Sequence, residues 1–378
     1  MKNVVIAGYA RSPFTLANKG EMTKVRPDEM AGQVVKGLIE LTGVNVEDIE
    51  DIIMGCAFPE AEQGFNVARI ISFLAGVPKT AAATTVNRFC GSSMQAIHMA
   101  AGAIQMGAGE VFVCGGIESM TRVPMGGFNP APHPGLYKSY PEAYVSMGVT
   151  AENLAKQYNI SREEQEEMAV ESHARAAAAR EAGKFVDEII AIQDGNKRIE
   201  LDGCIRPGTS MEGLAGLKPA FDASGTVTAA TSSPLTDGAS ATLICSEEYA
   251  DANGLTKMAR IKSIAVAGCG PEVMGIGPVP ATEKALKRAG LTLADIDIIE
   301  LNEAFAAQSI AVLKESGMKY DNTNIDGGAI AMGHPMGATG ARITGKVASL
   351  LQREGKSLGL ATQCIGGGQG IATILEAC

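Results

Sequence analysis

The chain repeats part of its own sequence at long range. The segment 42–49 recurs with substitutions at 289–296, and both copies keep a glycine second, an aspartate seventh and an isoleucine eighth. The same offset relates three further residues to their counterparts: Ile52 to Ile299, Ala57 to Ala304 and Phe58 to Phe305. A constant offset across a helix end, a strand and the following loop indicates a duplicated unit. We therefore expect the second half to repeat the α/β topology of the first.

Strand and helix patterns alternate along the first part of the 378-residue chain. An apolar strand at 4–7 is followed by helical spacing at 27–41 and a second strand at 51–56. This alternation predicts a layered α/β fold. From Met120 onward, Pro, Gly, Met and aromatic residues lead into a charged helix and long loops. We expect three parts: an N-terminal half at 1–119, an inserted loop domain over the site at 120–245 and a C-terminal half at 246–378.

Composition excludes several classes of function. Hydrophobic residues make up 46% and charged residues 20%, which is typical of a compact, soluble protein. The net charge of −10 argues against nucleic acid or an anionic membrane surface as the main partner. The 8 cysteines are scattered without metal-like spacing, so we expect reduced thiols, no metal and a cytoplasmic location. No apolar run reaches the ~18 residues that a membrane span needs.

Cys90 lies where a strand pattern gives way to an uncharged segment. A β-branched run at 84–86 precedes it, and the segment 91–109 contains no Asp, Glu, Lys or Arg. A strand is therefore expected to lead into a buried helix, with Cys90 at the turn between them. Free backbone N–H groups and the positive end of the helix dipole would favour a thiolate there. We predict that Cys90 is a nucleophile with a lowered pKa.

The repeat also indicates where the base that serves Cys90 should lie. The counterpart of Cys90 in the second half is Gly337, inside a glycine-rich segment that contains His334. If the two strand-to-helix turns face one cleft, His334 lies near Cys90 and can act as its base. The other histidines are assigned ordinary places: His98 in the core, and His133 and His173 at the surface.

A third block follows the strand pattern at 358–362. Cys364 is followed by three glycines at 366–368, whose backbone N–H groups can hold an oxyanion, and the thiol could carry a proton. The amide of Asn302, at the end of another strand, could hold a water in the same cleft. A phosphate-binding loop is the weaker interpretation, because the block lacks the Lys-Ser/Thr pair of a P-loop and the spacing of a dinucleotide fingerprint.

Together these blocks resemble the thiolase family, in order and spacing and over essentially the whole chain. The matching segments are 87–95, 302–306, 333–335 and 364–370. The likeness is closest to the degradative 3-ketoacyl-CoA thiolases, and the segments 64–69 and 172–176 add to it. The resemblance implies a five-layer α-β-α-β-α sandwich in which the helix after the nucleophile is buried.

The resemblance also implies a role for each block. Cys90 would be acylated, His334 would activate it, and Cys364 would move the proton at C2 of the acetyl unit. His334 and a water on Asn302 would form one oxyanion hole. The backbone N–H groups of Cys90 and Gly366 would form the other.

Binding partners follow from the same resemblance. Arg206 and Ser233 match positions that contact the nucleotide and the pantetheine of coenzyme A. Coenzyme A and acyl-CoA thioesters would be substrates, with no permanently bound cofactor. A homodimer or homotetramer is expected, and a hydratase/dehydrogenase subunit of a β-oxidation complex is a further candidate partner.

The expected reaction is CoA-dependent thiolytic cleavage of 3-ketoacyl-CoA, or the reverse condensation, in fatty-acid β-oxidation. An acetoacetyl-CoA-specific acetyltransferase is the first alternative, but such enzymes usually have His-Met where this chain has Ser146 and Met147. Other condensing enzymes of the superfamily would carry a histidine or glutamate in place of Cys364. A non-catalytic acyl-CoA-binding homologue would tolerate loss of Cys90 or His334, and both are present.

Overall fold

The computed structural model describes residues 2–378. Up to residue 157 its strands are β1 (Val4–Arg11), β2 (Thr15–Leu16), β3 (Asp51–Gly55), β4 (Ala82–Val86) and β5 (Val111–Ser119). The helices of the same region are α1 (Pro27–Thr42), α2 (Val67–Leu74), α3 (Ser92–Gln105), α4 (Pro134–Ser139) and α5 (Met147–Gln157). The predicted uncharged helix is therefore present as α3, and most of its residues are buried.

The remaining strands are β6 (Ile192–Asp194), β7 (Lys197–Ile199), β8 (Thr236–Ser246), β9 (Ala259–Gly268), β10 (Ile298–Leu301), β11 (Leu358–Ile365) and β12 (Gln369–Ala377). The remaining helices are α6 (Arg162–Glu181), α7 (Met211–Ala215), α8 (Glu247–Ala252), α9 (Pro278–Ala289), α10 (Ala306–Ser316), α11 (Ala329–Met332) and α12 (Met336–Arg353).

The sheet topology repeats between the two halves. The first half has the strand order β4-β3-β5-β8-β1, and the second has β10-β11-β12-β9. In both, the pair β3/β5 or β10/β11 is parallel, and the following two pairs are antiparallel. On its other side, β3 pairs in parallel with β4. At the corresponding position in the second half, β10 has a single parallel bridge, between Ile299 and Thr323. The topology agrees with the duplication that the sequence repeat indicated.

Five layers follow from where the apolar side chains pack. One core lies between the first sheet and the helix layer formed by α1 and α2. Another lies between the second sheet and the helix layer formed by α9 and α10. The central core contains α3 and α12 and contacts both sheets. A short antiparallel pairing of β1 with β9, Val5 with Arg260 and Ile6 with Ala259, joins the two sheets along one edge. The predicted α-β-α-β-α sandwich is thus confirmed, with its two sheets continuous at that edge.

Strand β8 is the part of the 120–245 segment that belongs to the first sheet. It lies between β1 and β5, so this half takes a strand from residues near the end of the 120–245 segment. Most of that segment consists of short helices, short strands and loops, with α6 as its longest helix. The division at 1–119, 120–245 and 246–378 stays a prediction. No helix within residues 2–378 is long and apolar enough to cross a membrane.

Buried ion pairs hold α12 in the central layer. Arg342 on this helix donates to Glu300 on β10 at 2.7 Å, and both side chains are buried. One turn further on, Lys346 lies 2.9 Å from Glu188 and 2.9 Å from Asp326. Buried charges need such partners, since an unpaired charge in a core costs several kcal/mol. The helix that starts beside His334 is therefore fixed from three directions.

Candidate active site

Cys90 lies in the turn between β4 and α3, as the sequence predicted. Phe89, just before it, has φ of +41°, a left-handed conformation that costs energy for a residue with a Cβ. The side chain of Asn87 accepts from the Phe89 N–H at 2.9 Å and so supports the strained residue. From the second half, Gln363 donates to the carbonyl oxygen of Cys90. The turn that presents the thiol is thus held from both halves.

The predicted lowering of the Cys90 pKa is wrong. Burial raises the pKa of this thiol to about 11, and the charge of Glu118 acts in the same direction. The backbone N–H groups of Gly366 and of Cys90 itself act in the opposite direction, and they do not outweigh burial. Removal from water disfavours the thiolate more than the start of a helix favours it. At neutral pH the thiol is protonated, so a reaction at this sulfur needs a base.

His334 is buried just before α12, and its ring is oriented by Thr339. Nδ1 lies 2.6 Å from the Thr339 hydroxyl oxygen, and that hydroxyl donates its one hydrogen to the Pro335 carbonyl at 3.0 Å. The threonine oxygen can therefore only accept, which places the ring proton on Nδ1 and leaves a lone pair on Nε2. Burial, followed by the charge of Arg342, lowers the pKa of His334 to about 3. The ring is neutral at pH 7 and its Nε2 can accept a proton.

Asn302 lies beside that lone pair. Its Nδ2 is 3.4 Å from Nε2 of His334, and its backbone N–H donates to Thr362 on β11 at 3.1 Å. The side-chain oxygen of Asn302 is buried and has no hydrogen-bond partner among residues 2–378. Asn302 and His334, which are separate in sequence, thus form one polar corner of the site.

Cys364, near the end of β11, brings the second thiol to the same place. Burial raises its pKa well above the ordinary value, and the charges of Cys90 and Cys269 raise it further. The backbone N–H of Gly366, two residues on, lies close enough to the Cys90 thiol to lower its pKa. Because Gly366 opens the turn between β11 and β12, its N–H is not used in the strand ladder. The structure therefore brings the two cysteines and the Gly366 N–H together.

The expected coenzyme A residues lie toward the surface. The backbone N–H of Ser233 donates to the Ala304 carbonyl at 3.0 Å, which places this half-buried serine beside the Asn302 loop. The side chain of Arg206 is exposed. Arg206 lines one cavity of about 20 Å³ together with Ser232 and Pro234, the two chain neighbours of Ser233.

The other histidines test the sequence assignments. His98 is buried with Nε2 2.8 Å from the hydroxyl of Thr373, and His133 is exposed at the start of α4, as expected. The surface assignment of His173 is wrong, since this residue is buried and its Nδ1 accepts the Arg206 N–H at 3.1 Å. Although α6 is rich in charge, one of its faces packs on the second half, where Ser172 donates to Glu303 at 2.7 Å. Apolar and small residues at helical spacing on α6 were the available signal.

Two residues that the sequence analysis did not single out also contact the site. Thr339 orients His334, and Glu118 lies buried at the end of β5. Glu118 is the one charged residue of strand β5, and a carboxylate near the end of a mostly apolar strand was the signal for it. No group of three or more His, Cys, Asp or Glu side chains that could hold a metal occurs in the described residues, 2–378.

Thr339→Val should lower kcat by about tenfold to a hundredfold with little change in KM. Valine has nearly the shape of threonine but cannot accept a hydrogen bond from Nδ1–H, so the ring proton can move to Nε2 and that nitrogen is then no longer a base. Thr339→Ser keeps the hydroxyl and should retain most of the activity. Equal rates for the valine and serine variants would mean that the hydroxyl does not set the tautomer.

Comparison with known proteins relates the whole chain to one family. The family model described as the N-terminal domain of thiolase matches residues 4–248, and that of the C-terminal domain matches 255–377. A 3-ketoacyl-CoA thiolase from Marinomonas sp. (strain MWYL1) is 52% identical, covering 99% of this chain and 98% of the relative. One from Shewanella frigidimarina (strain NCIMB 400) is 50% identical, with 100% of both chains covered.

Solved structures show the same relationship. Human mitochondrial 3-ketoacyl-CoA thiolase has a TM-score of 0.92 at 38% identity, covering 100% of this chain and 99% of that one. The acetyl-CoA acetyltransferase of Bacillus anthracis has a TM-score of 0.91 at 39% identity, with the same coverage. These matches confirm the fold and the family that the sequence predicted. The chain belongs to the thiolase family of acyltransferases.

Proposed function

We propose that this protein cleaves 3-ketoacyl-CoA with coenzyme A, giving acetyl-CoA and a shortened acyl-CoA, and that it serves fatty-acid β-oxidation. The observation that carries the proposal is the meeting of two buried thiols, Cys90 and Cys364, whose segments contact each other through Gln363 and the Cys90 carbonyl oxygen. A soft nucleophile and fixed N–H donors are what attack on a ketone carbon requires. The relatives named 3-ketoacyl-CoA thiolase support this substrate.

In the first half of the reaction, Nε2 of His334 takes the proton of the Cys90 thiol. The sulfur attacks C3 of the substrate, and the oxygen on C3 receives hydrogen bonds from the N–H groups of Cys90 and Gly366. The bond between C2 and C3 then breaks and leaves the enolate of acetyl-CoA. His334 and a water held by Asn302 stabilise this enolate, and Cys364 delivers the proton to C2.

In the second half, the acyl group leaves Cys90. A free coenzyme A thiol enters where acetyl-CoA has left and gives up its proton to the Cys364 thiolate, which had delivered its own proton to C2. Its sulfur attacks the acyl-enzyme thioester, whose carbonyl oxygen lies in the hole of Cys90 and Gly366. Cys90 leaves as the thiol, taking back the proton that His334 had held since the first half. The sequence of steps uses acid–base and covalent catalysis by side chains throughout.

Coenzyme A is held, in this proposal, by Arg206 and Ser233. An exposed guanidinium suits the phosphates of the nucleotide, and the hydroxyl of Ser233, beside the Asn302 loop, suits the pantetheine amides. We further propose a homodimer or homotetramer, supported by the 95% exposed side chain of Phe65. The next residue, Asn66, donates to Ala83 on the sheet-edge strand β4. We also propose that the protein is cytoplasmic and that it binds a hydratase/dehydrogenase subunit of a β-oxidation complex.

Substrates longer than acetoacetyl-CoA should be cleaved. Met147 and Phe89 lie close to Gly366, whereas Ser146 is small and exposed and leaves room for an acyl tail. Each additional buried methylene can add up to about 0.8 kcal/mol, roughly fourfold in kcat/KM. The measurement is acetyl-CoA formation from a series of 3-ketoacyl-CoA substrates, with Cys90→Ala as the inactive control. Activity confined to acetoacetyl-CoA would instead favour the acetyltransferase alternative.

A further inference from the structure

Glu118 is a buried carboxylate that is fully used as a hydrogen-bond acceptor. One oxygen accepts the backbone N–H of Ala57 at 2.8 Å and that of Gly337 at 2.9 Å. The other accepts the backbone N–H of Phe58 at 3.2 Å and the side chain of Gln63 at 3.0 Å. Burial raises the pKa of Glu118, and these four donors act against that rise. An ionised carboxylate satisfies all four, since it accepts at both oxygens.

The four donors belong to parts of the molecule that meet at the site. Ala57 and Phe58 form the loop after β3, and both pack in the apolar cluster that contains Cys90. Gly337 is the second residue of α12, three positions after His334. A Cβ added to Gly337 would lie 2.4 Å from the Ile117 carbonyl oxygen, so the helix start approaches β5 closely. One side chain therefore ties the Cys90 side of the site to the His334 side.

A second link continues from Ala57 to the nucleophile. The side-chain amide of Asn87 donates to the Ala57 carbonyl at 2.9 Å, and its oxygen accepts the Phe89 N–H at 2.9 Å. Phe89 is the residue with the left-handed backbone next to Cys90. The backbone of Ala57 is thus held on both sides: Glu118 accepts its N–H, and Asn87 donates to its carbonyl oxygen. This chain of contacts runs from the start of α12 to the strained turn.

We propose that Glu118 is a positioning residue that sets the Cys90 turn and the His334 helix at their working separation. The inference rests on the proposed thiolase function and assigns a residue that never touches the substrate. Proton transfer from the thiol to the imidazole depends steeply on their separation, and a misplacement of about 1 Å can cost about a hundredfold in rate. Two loops from different halves need a shared anchor to keep that distance.

Glu118→Gln tests the proposal with almost no change in shape. The new amide nitrogen can only donate, so two of the four N–H groups lose their acceptor and face another donor. We expect kcat to fall by about a hundredfold, while KM for coenzyme A and for the acyl-CoA changes less than about twofold. Steady-state kinetics on the folded enzyme, with its melting temperature measured alongside, give both numbers.

Glu152→Gln is the matched control. Glu152 is also a buried carboxylate that accepts backbone N–H groups, from Thr226 at 3.0 Å and Val227 at 2.8 Å, and it contacts neither the Cys90 turn nor the His334 helix. We expect this variant to lose stability but to keep its kcat. If both glutamine variants lost kcat in proportion to stability, Glu118 would be an ordinary buried acid and the proposal would be overturned.

Asn87→Asp tests the same link without touching Glu118. Aspartate still accepts the Phe89 N–H but cannot donate to Ala57, so kcat should fall with KM unchanged. In the double variant with Glu118→Gln, kcat should be no lower than in the worse single variant, because both act through one contact chain. If the losses of kcat in the two single variants multiplied in the double variant, the proposal would be overturned. If Glu118→Gln does not fold, a wild-type kcat in Asn87→Asp is enough to overturn it. A wild-type enzyme without thiolysis would refute the proposed function instead.

Discussion

We expect His334→Ala to lower kcat by more than about a thousandfold. The Cys90 thiol, with its pKa raised to about 11 by burial, is protonated at neutral pH and depends on a base. The neutral imidazole of His334 is that base in the proposed mechanism, and it is also a donor to the enolate later. Loss of a general base costs about 10² to 10⁴ in rate, and loss of an oxyanion-hole donor about 10² to 10³. Steady-state kcat for thiolysis is the measurement.

The pH dependence of the variant gives an independent check. Without its base, Cys90 must react as the free thiolate, so alkylation by iodoacetamide should rise about tenfold per pH unit up to pH about 11. His98→Ala is the control, since His98 is equally buried, with a pKa also near 3, and bonds only to Thr373. That variant should keep its kcat. A loss of less than tenfold in His334→Ala would make His334 structural and turn attention to His98.

Cys364→Ala should separate the two halves of the chemistry. The variant should still accept an acyl group on Cys90 from a simple acyl-CoA, because the base, the N–H of Gly366 and the nucleophile are all retained. Cleavage and condensation, which need a proton moved at C2, should both fall by about 10² to 10⁴. Mass spectrometry of the acylated peptide and steady-state thiolysis measure the two effects. An acyl adduct mapped to Cys364 in the wild type would contradict the assignment of Cys90.

Exchange of protons at C2 tests Cys364 directly. The wild-type enzyme should exchange the methyl protons of acetyl-CoA with deuterium from the solvent, since a base lies beside that carbon. Cys364→Ala should lose this exchange, which needs no acyl transfer. Cys269→Ala is the matched control, because its half-buried thiol neighbours Cys364 but has no place in the proposed mechanism. Wild-type exchange in Cys364→Ala would assign the proton transfer to another group, with His334 the first candidate.

The sequence alone determined the architecture, and it indicated the residues that are proposed to carry the chemistry. The repeat at 42–49 and 289–296 anticipated two halves of one topology, and the strand pairings of both halves agree. The uncharged segment after Cys90 anticipated the buried helix α3. These features are readable because periodicity, turn chemistry and motif spacing are local properties of the chain. The motif segments also indicated the thiolase family, and the comparisons confirm that family.

The tertiary structure alone decided the electrostatics and the partners of those residues. The pKa of Cys90 is raised although its turn precedes a helix, because atoms from both halves remove the sulfur from water. His173 is buried although its helix is rich in charge, and Glu118 meets Gly337 across more than half of the chain. Desolvation and hydrogen bonding depend on every group that packs around an atom, and most of these groups are distant in sequence. Local pattern therefore indicates which groups are candidates for the chemistry, and only the packed fold determines their protonation and their alignment.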